Sequence, residues 1–279
     1  MIVVFGKTGQ VATELALLEP EARYVPRDEV DLAKPTQVAA FLKNTQARAI
    51  INAAAYTAVD RAEDERDLAM AVNGASVGTM AEHAAAQDIP LVHISTDYVF
   101  DGAGTAPRRP DDPAAPLGVY GASKLAGEAL IRNAGARHVI LRTSWVFSAH
   151  GTNFVKTMLR LSEARNTLNV VDDQVGGPTP ARGIAETVLK ITGALLDGHT
   201  GGTYHYAGAP NTSWAGFARE IFAQARRDIS VTGIPTADYP TPATRPLNSR
   251  LDCTTLETEF GVTPADWRRD LALVLKALT

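Results

Sequence analysis

Ile2-Val3-Val4-Phe5 is a short, mostly β-branched apolar run that leads straight into Gly6-Lys7-Thr8-Gly9-Gln10-Val11-Ala12, after which Val11–Leu18 takes up helical spacing. A strand, a tight glycine turn and a helix in immediate succession constrain this chain more than any other feature. Gly6 permits the turn, Gly9 lets the backbone come close to a ligand, and Ala12 is small enough for close helix–strand packing. The helix start presents free N–H groups and a partial positive charge, which suits the pyrophosphate of a dinucleotide. An ordinary βα turn uses glycines too, so the rest of the chain has to decide between the two readings.

Further apolar runs follow at Arg23–Val25, Arg48–Asn52, Leu91–Ser95 and His138–Arg142, separated by helix-like stretches at Thr36–Asn44 and up to about Gln87. Near-continuous apolar strands alternating with helices predict a parallel sheet covered on both faces. Right-handed crossovers then give an α/β, Rossmann-type doubly wound fold with its crevice at the carboxyl ends of the strands. With 279 residues, 45% of them hydrophobic, the chain can bury a full core. After Val171 the character changes. Gly176-Gly177-Pro178 breaks the chain, Ile184–Leu195 returns to helix, and Tyr239-Pro240-Thr241-Pro242 and Arg245-Pro246 mark irregular loops. A last helix is expected from about Ala265 to Ala277. The expected organisation is a dinucleotide-binding domain over 1–171 and a smaller, lid-like substrate lobe over 172–279, with some segments returning to the first domain.

A net charge of -4 without a basic stripe gives nucleic acid no footing. The apolar start is too short for a signal peptide or a membrane span, and a single cysteine, Cys253, favours a reducing compartment. These features predict a soluble, cytoplasmic protein, monomeric or homodimeric. None of the six histidines stands at zinc-ligand spacing, so no metal is expected.

An acid that grips a ribose 2′-hydroxyl is expected at the end of the second strand, which here reads Val25-Pro26-Arg27-Asp28. Arg27 can pair with a 2′-phosphate, which favours NADPH over NADH; the alternative is that Asp28 does the acid's work. Asp31-Leu32 can reach the adenine.

Tyr120-Gly121-Ala122-Ser123-Lys124 opens a helix, so the phenol and the ammonium share one face. A free phenol titrates near about pH 10, and a neighbouring ammonium lowers that value, which suits proton transfer to a developing alkoxide. Ser95 and Thr96 end the fourth strand, where a hydroxyl can polarise a carbonyl; one of the two can instead serve only as a cap for Asp97. A glycine turn, a hydroxyl, a tyrosine and a lysine in this order resemble the short-chain dehydrogenase/reductase family, and the tight Gly-x-x-Gly-x-x-Ala spacing resembles its extended type.

Longer stretches narrow the likeness. They are Asn52-Ala53-Ala54-Ala55-Tyr56-Thr57-Ala58-Val59-Asp60, Ser95 to Gly102, Arg142-Thr143-Ser144-Trp145-Val146-Phe147, Asp173 to Thr179, and Arg245-Pro246-Leu247-Asn248-Ser249-Arg250-Leu251. In this order they resemble the dTDP-4-dehydrorhamnose reductase family. The resemblance implies reduction of a nucleotide-sugar C4 ketone, with Thr96, Tyr120 and Lys124 catalytic. It implies that Gly9-Gln10-Val11, Asp31-Leu32 and Ala55-Tyr56-Thr57 line the cofactor, beside Gly6, Arg27, Ala53 and Ala54. It further implies that Thr96, Asp97 and Trp145 contact the sugar; without it, Trp145 would read as a core residue. Arg245, Asn248 and Ser249 lie in the proposed lid, where they either meet the diphosphate or form a solvated loop. Some members form Mg2+-bridged dimers through an acid two residues after the Pro178-Thr179-Pro180 stretch; Arg182 stands there in this chain and would repel a cation. Two alternatives remain: reduction of another dTDP-4-keto-deoxysugar, and a non-catalytic NADP-binding regulatory subunit on the same fold.

Overall fold

The computed structural model describes residues 1–278. The apolar runs form β1 (Ile2–Phe5), β2 (Arg23–Val25), β3 (Ala49–Asn52), β4 (Leu91–Thr96) and β5 (His138–Thr143). Short strands follow as β6 (Val146–Phe147), β7 (Thr167–Val171), β8 (Val175–Gly176) and β9 (Thr179–Pro180). The remaining strands are β10 (Gly201–His205), β11 (Thr212–Ser213), β12 (Ser230–Ile234) and β13 (Asn248–Ser249). In the main sheet the order is β2-β1-β3-β4-β5-β10, with every pairing parallel. The chain order reverses between β1 and β3, and in such sheets ligands bind in the crevice outside the strand ends at that point.

Alternation along the strands feeds two cores. Ile2, Val4, Ile51 and Val92 face one side, where they meet Leu15 of α1 (Gln10–Leu18) and Ile184 and Val188 of α8 (Ala181–Leu196). Val3, Phe5, Ile50 and Leu91 face the other side and pack on Val38 and Leu42 of α2 (Pro35–Lys43) and Met80 of α5 (Ser76–Ala86). Ile131 of α6 (Val119–Ala134) joins that second face. Both faces of the sheet are thereby covered, as the apolar runs predict.

The Ala-rich stretch before Gln87 is not one helix. It divides into α3 (Val59–Ala62), α4 (Arg66–Met70), a π-helical segment at Ala71–Ala75 and α5. The π segment turns Asn73 inward, where it is buried; such segments recur at functional sites.

A separate core gathers Phe147, Val155 and Met158 of α7 (Phe154–Leu161), Leu168, and Phe217 and Ile221 of α9 (Trp214–Gln224). Trp267 and Leu271 of α11 (Trp267–Ala277) complete it, while α10 (Thr254–Phe260) packs back on the first core. This lobe takes residues from both sides of position 171. Helix α8 and strand β10, both beyond 171, belong to the main sheet. No helix among the described residues is long and apolar enough to cross a membrane.

Candidate active site

The glycine turn lies against the switch point. Gly6 has φ +110°, a conformation open to glycine, and a Cβ there would sit 3.3 Å from the Ala53 backbone at the end of β3. Gly9 caps α1 with no side-chain hydrogen bond, and a Cβ on it would meet nothing within 4 Å. Free helix N–H groups facing open space fit a phosphate. The Gln10 side chain does not face that space. Its Oε1 accepts from Ser148 Oγ at 2.9 Å and Asn153 Nδ2 at 3.0 Å, which ties α1 to the segment before α7.

Across the crevice, Ala53 donates to the Phe5 carbonyl at 3.0 Å and Ala54 to Asn52 Oδ1 at 3.2 Å. Tyr56 is clamped at its backbone by Asn73, which accepts from its N–H at 2.9 Å and donates to its carbonyl at 3.0 Å. Asn73 also donates to Ser123 Oγ at 3.0 Å, so one buried amide joins the Ala53–Thr57 run to the helix that carries Tyr120 and Lys124. Arg27 is exposed, with Nε 3.8 Å from Asp31 Oδ1. Leu32 is buried, and its carbonyl accepts from Ser76 at 2.6 Å.

Tyr120 and Lys124 stand on the first turns of α6. Gly121 between them lets the helix settle on Tyr98, because a Cβ there would lie 2.1 Å from the Tyr98 carbonyl oxygen. Rings of Tyr98 and Tyr120 meet edge to face at 5.5 Å. Burial pushes the Tyr120 phenol up to about 12, hydrogen bonding with Thr96 works against that rise, and the Asp97 charge adds to it. Lys124 is 2% exposed, and burial lowers it to about 8 against the opposing charge of Glu128. The hydrogen bonds of its Nζ run to the Ile94 carbonyl at 2.7 Å and to His93 Nε2 at 3.0 Å, not to the phenol.

At the end of β4 the two hydroxyls part company. Ser95 does not face the crevice; it donates to Glu128 Oε1 at 2.6 Å inside the protein. Thr96 Oγ1 accepts from Tyr98 N at 3.2 Å and donates to Asp97 Oδ1 at 3.1 Å. Asp97 is buried, and desolvation raises its carboxyl to about 6 despite hydrogen bonding with Ser249 and Thr96. Among the described residues its Oδ2 has no partner within hydrogen-bond geometry.

Trp145 is not a core residue. It is half-buried with φ +50°, and its ring stacks on Trp214 at 3.6 Å and 12°. A Cβ on Gly176 would lie 3.1 Å from that ring and 2.9 Å from Ser249, so Trp145, Gly176 and Ser249 meet at one point. Gln174 holds the platform by accepting from Trp214 Nε1 at 3.1 Å. Sequence reasoning assigned no role to Asn73, Gln174 or Trp214.

The residues expected in a lid are engaged within the protein. Arg245 forms a two-point ion pair with Asp60, Nη1–Oδ1 3.0 Å and Nη2–Oδ2 2.8 Å. Asn248 donates to the Ala106 carbonyl at 2.8 Å and accepts from Arg250. Arg182 pairs with Glu186 and reaches Glu14 at 3.7 Å.

Residues 1–279 match the family model described as "RmlD substrate binding domain". A dTDP-4-dehydrorhamnose reductase of Sinorhizobium fredii is 43% identical over 287 residues, covering 99% of this chain and 97% of the relative. The chain belongs to the dTDP-4-dehydrorhamnose reductase family. Such a reductase from Clostridium acetobutylicum superposes with TM-score 0.93 at 34% identity, covering 99% of both chains. Another, from Bacillus anthracis in complex with NADP, superposes with TM-score 0.91 at 33% identity, covering 99% of this chain and 98% of its own. Membership makes the chain an oxidoreductase on a Rossmann-type fold.

Proposed function

We propose that this chain reduces the C4 ketone of dTDP-4-dehydro-β-L-rhamnose to dTDP-L-rhamnose with NADPH. The observation that supports the reading is the hydrogen bonding of Tyr120 with Thr96 at the end of β4, with Lys124 one turn along α6 bonded to the same strand. The turn at Gly6 and Gly9, with Gln10 and Val11 opening α1, suits the pyrophosphate, and the run from Ala53 to Thr57 forms the opposite wall. Arg27 suits a 2′-phosphate, since its exposed pair with Asp31 is worth at most about 1 kcal/mol and yields readily to a stronger anion. Asp31 and Leu32 flank the adenine in this reading.

When bound, NADPH supplies the hydride. Thr96 orients the ketone, and Tyr120 gives its proton to the carbonyl oxygen as the C4 hydroxyl forms. A phenol raised to about 12 is a donor held in its protonated form at neutral pH. Lys124, near 8, exchanges protons in the working range, and in its ammonium form favours the phenolate that Tyr120 leaves. The unpartnered Oδ2 of Asp97 accepts from a sugar hydroxyl, and the open face of Trp145 packs on the deoxysugar ring. Arg245, Asn248 and Ser249 frame the lid side of the substrate. The two-lobe division, with the sheet as cofactor domain and the Phe217–Trp267 core as substrate lobe, belongs to the same proposal.

The test is NADPH oxidation with enzymatically generated dTDP-4-dehydrorhamnose, run beside dTDP-4-keto-6-deoxyglucose. Turnover of the first alone supports the proposal, and turnover of the second moves the chain to another deoxysugar. No turnover of either, with NADPH bound, favours a regulatory subunit. Tyr120→Phe should lose at least about 100-fold in kcat, the scale of general acid catalysis, with NADPH affinity unchanged. Retention of most of the rate by that variant excludes Tyr120 as the acid.

A further inference from the structure

His93 lies in the middle of the main sheet, fully buried between Val92 and Ile94, and the chemistry proposed above gives it no task. A buried imidazole is costly unless both ring nitrogens find partners, and both do. His93 stands opposite Asn52 in the β3–β4 register, with Nδ1 3.0 Å from Asn52 Nδ2. Its Nε2 lies 3.0 Å from Lys124 Nζ.

The proton positions follow from the far end of this chain. Ala54 N–H is a backbone donor that cannot reverse its role, and it points at Asn52 Oδ1 from 3.2 Å. The Asn52 amide must then turn its NH2 toward His93, which makes Nδ1 an acceptor and puts the ring proton on Nε2. Nε2–H faces Lys124 Nζ, and only an uncharged amine has a lone pair to receive it. An ammonium there would set one donor against another between two fully buried side chains, leaving an N–H unpaired.

We propose that His93 is a positioning residue for Lys124: fixed by Asn52 as the Nε2–H tautomer, it holds the Nζ atom and disfavours the ammonium form. The inference rests on the role proposed for Lys124 and deepens it. A lysine with its ordinary proton affinity stays charged throughout the neutral range, whereas one opposed by a histidine donor exchanges its proton there. Other groups around Nζ act in known directions. Glu128, one turn further along α6, favours the ammonium but is itself neutralised by Arg142 of β5. Tyr120, one turn earlier, is held protonated, and Asp97 lies beyond it at the end of β4. Burial lowers Lys124 in the same direction as His93 does. The Ala54–Asn52–His93–Lys124 line also starts in the run proposed to bind the cofactor, so the cofactor wall and the lysine share one hydrogen-bonded chain.

Long-range 1H–15N spectra of the full chain, labelled at histidine, read the tautomer directly and need no substrate. The expected result is His93 protonated at Nε2 alone at neutral pH; an Nδ1–H tautomer or an imidazolium overturns the proposal. His93→Gln presents at similar reach an amide that can turn its oxygen to an ammonium. His93→Asn ends short of Lys124. In both, the alkaline limb of kcat/KM should move up by about one pH unit, while the acid limb stays in place. A limb unmoved in both variants, whatever their rates, reduces His93 to a packing residue. Failure of the dTDP-sugar assay leaves the tautomer result standing, and an Nδ1–H tautomer leaves the proposed function standing.

Discussion

Glu128 is the residue whose loss should do most damage to α6. Its side chain is fully buried, and Arg142 beside it is 4% exposed. Arg142 donates to it twice, Nε–Oε1 at 2.9 Å and Nη2–Oε2 at 2.6 Å, while Ser95 donates to Oε1 at 2.6 Å. Glu128→Ala leaves the guanidinium in the interior with only the Pro110 carbonyl at 3.1 Å and His205 at 3.5 Å. An uncompensated buried charge costs about 3–5 kcal/mol. A domain this size loses roughly 2–4 °C of Tm per kcal/mol, so the fall should be about 6–20 °C. Glu128→Leu combined with Arg142→Met removes both charges together and should recover most of that loss, leaving about 1 kcal/mol for the stranded Ser95 hydroxyl. Urea denaturation of Glu128→Leu, Arg142→Met and the double variant, read as a cycle, measures the coupling. Acidification adds a check. Desolvation pushes the Glu128 carboxyl up, but hydrogen bonding and charge from Arg142 outweigh it and hold the carboxyl below its usual range. Its contribution is therefore present above the unfolded carboxylate pKa and lost as pH falls through the lower folded value, so wild type and variant should converge in acid. A loss under about 1 kcal/mol for Glu128→Ala, or a double variant as weak as the single, refutes the reasoning.

Two further outcomes are expected. Gly9→Ala puts a methyl where the protein leaves open space, in a backbone conformation any residue adopts, so stability should change by no more than about 1 kcal/mol while the NADPH Kd rises at least about tenfold; isothermal titration with unchanged affinity excludes phosphate approach there. Asp97→Asn should stabilise the protein at pH 8 by about 2–3 kcal/mol, because a carboxyl raised by burial to about 6 contributes stability below its unfolded pKa and loses it as pH rises through 6. The gain should vanish at pH 3, the KM for the nucleotide sugar should rise, and a Tm difference that does not vary with pH excludes the argument.

What could be read from the sequence was what the chain writes locally. The turn from Gly6 to Ala12 and the Tyr120–Lys124 pair depend on spacings within one element, and the strand runs on local apolarity. What could not be read depends on pairing across the fold. Asn52 and His93 are 41 residues apart and look like lone polar residues in apolar strands until the β3–β4 register joins them. Arg245 reads as a free cation because Asp60, its partner, is 185 residues away. Ser95 and Thr96 were indistinguishable at a strand end, and only the packing of α6 sends one to Glu128 and leaves the other beside Tyr120. Asn73 lay in a stretch whose helical spacing hid the π segment that turns it inward.

Trp145 shows how much of the site is set before any ligand arrives. A bulky residue at φ +50° costs on the order of 1–3 kcal/mol and persists only when its surroundings over-determine it. Here they do. Its carbonyl accepts from Thr179 N at 3.1 Å, one face of its ring is covered by Trp214, and Gln174 fixes Trp214 by accepting from its Nε1. The ring reaches the Phe154–Phe217 cluster through Trp214 and lies beside Gly176 and Ser249, where a Cβ on Gly176 would already crowd it. Ser249 in turn borders Asp97, whose Oδ2 is one of the buried acceptors without a partner within hydrogen-bond geometry among the described residues. Ser249 thus links the strained Trp145 position, through Gly176, to the buried Asp97 carboxyl beside Thr96. The proposed sugar site draws on both: a ring packed on Trp145 would carry a hydroxyl within reach of the Asp97 carboxyl, and the backbone at Trp145 keeps its strained conformation whether or not a ligand is bound.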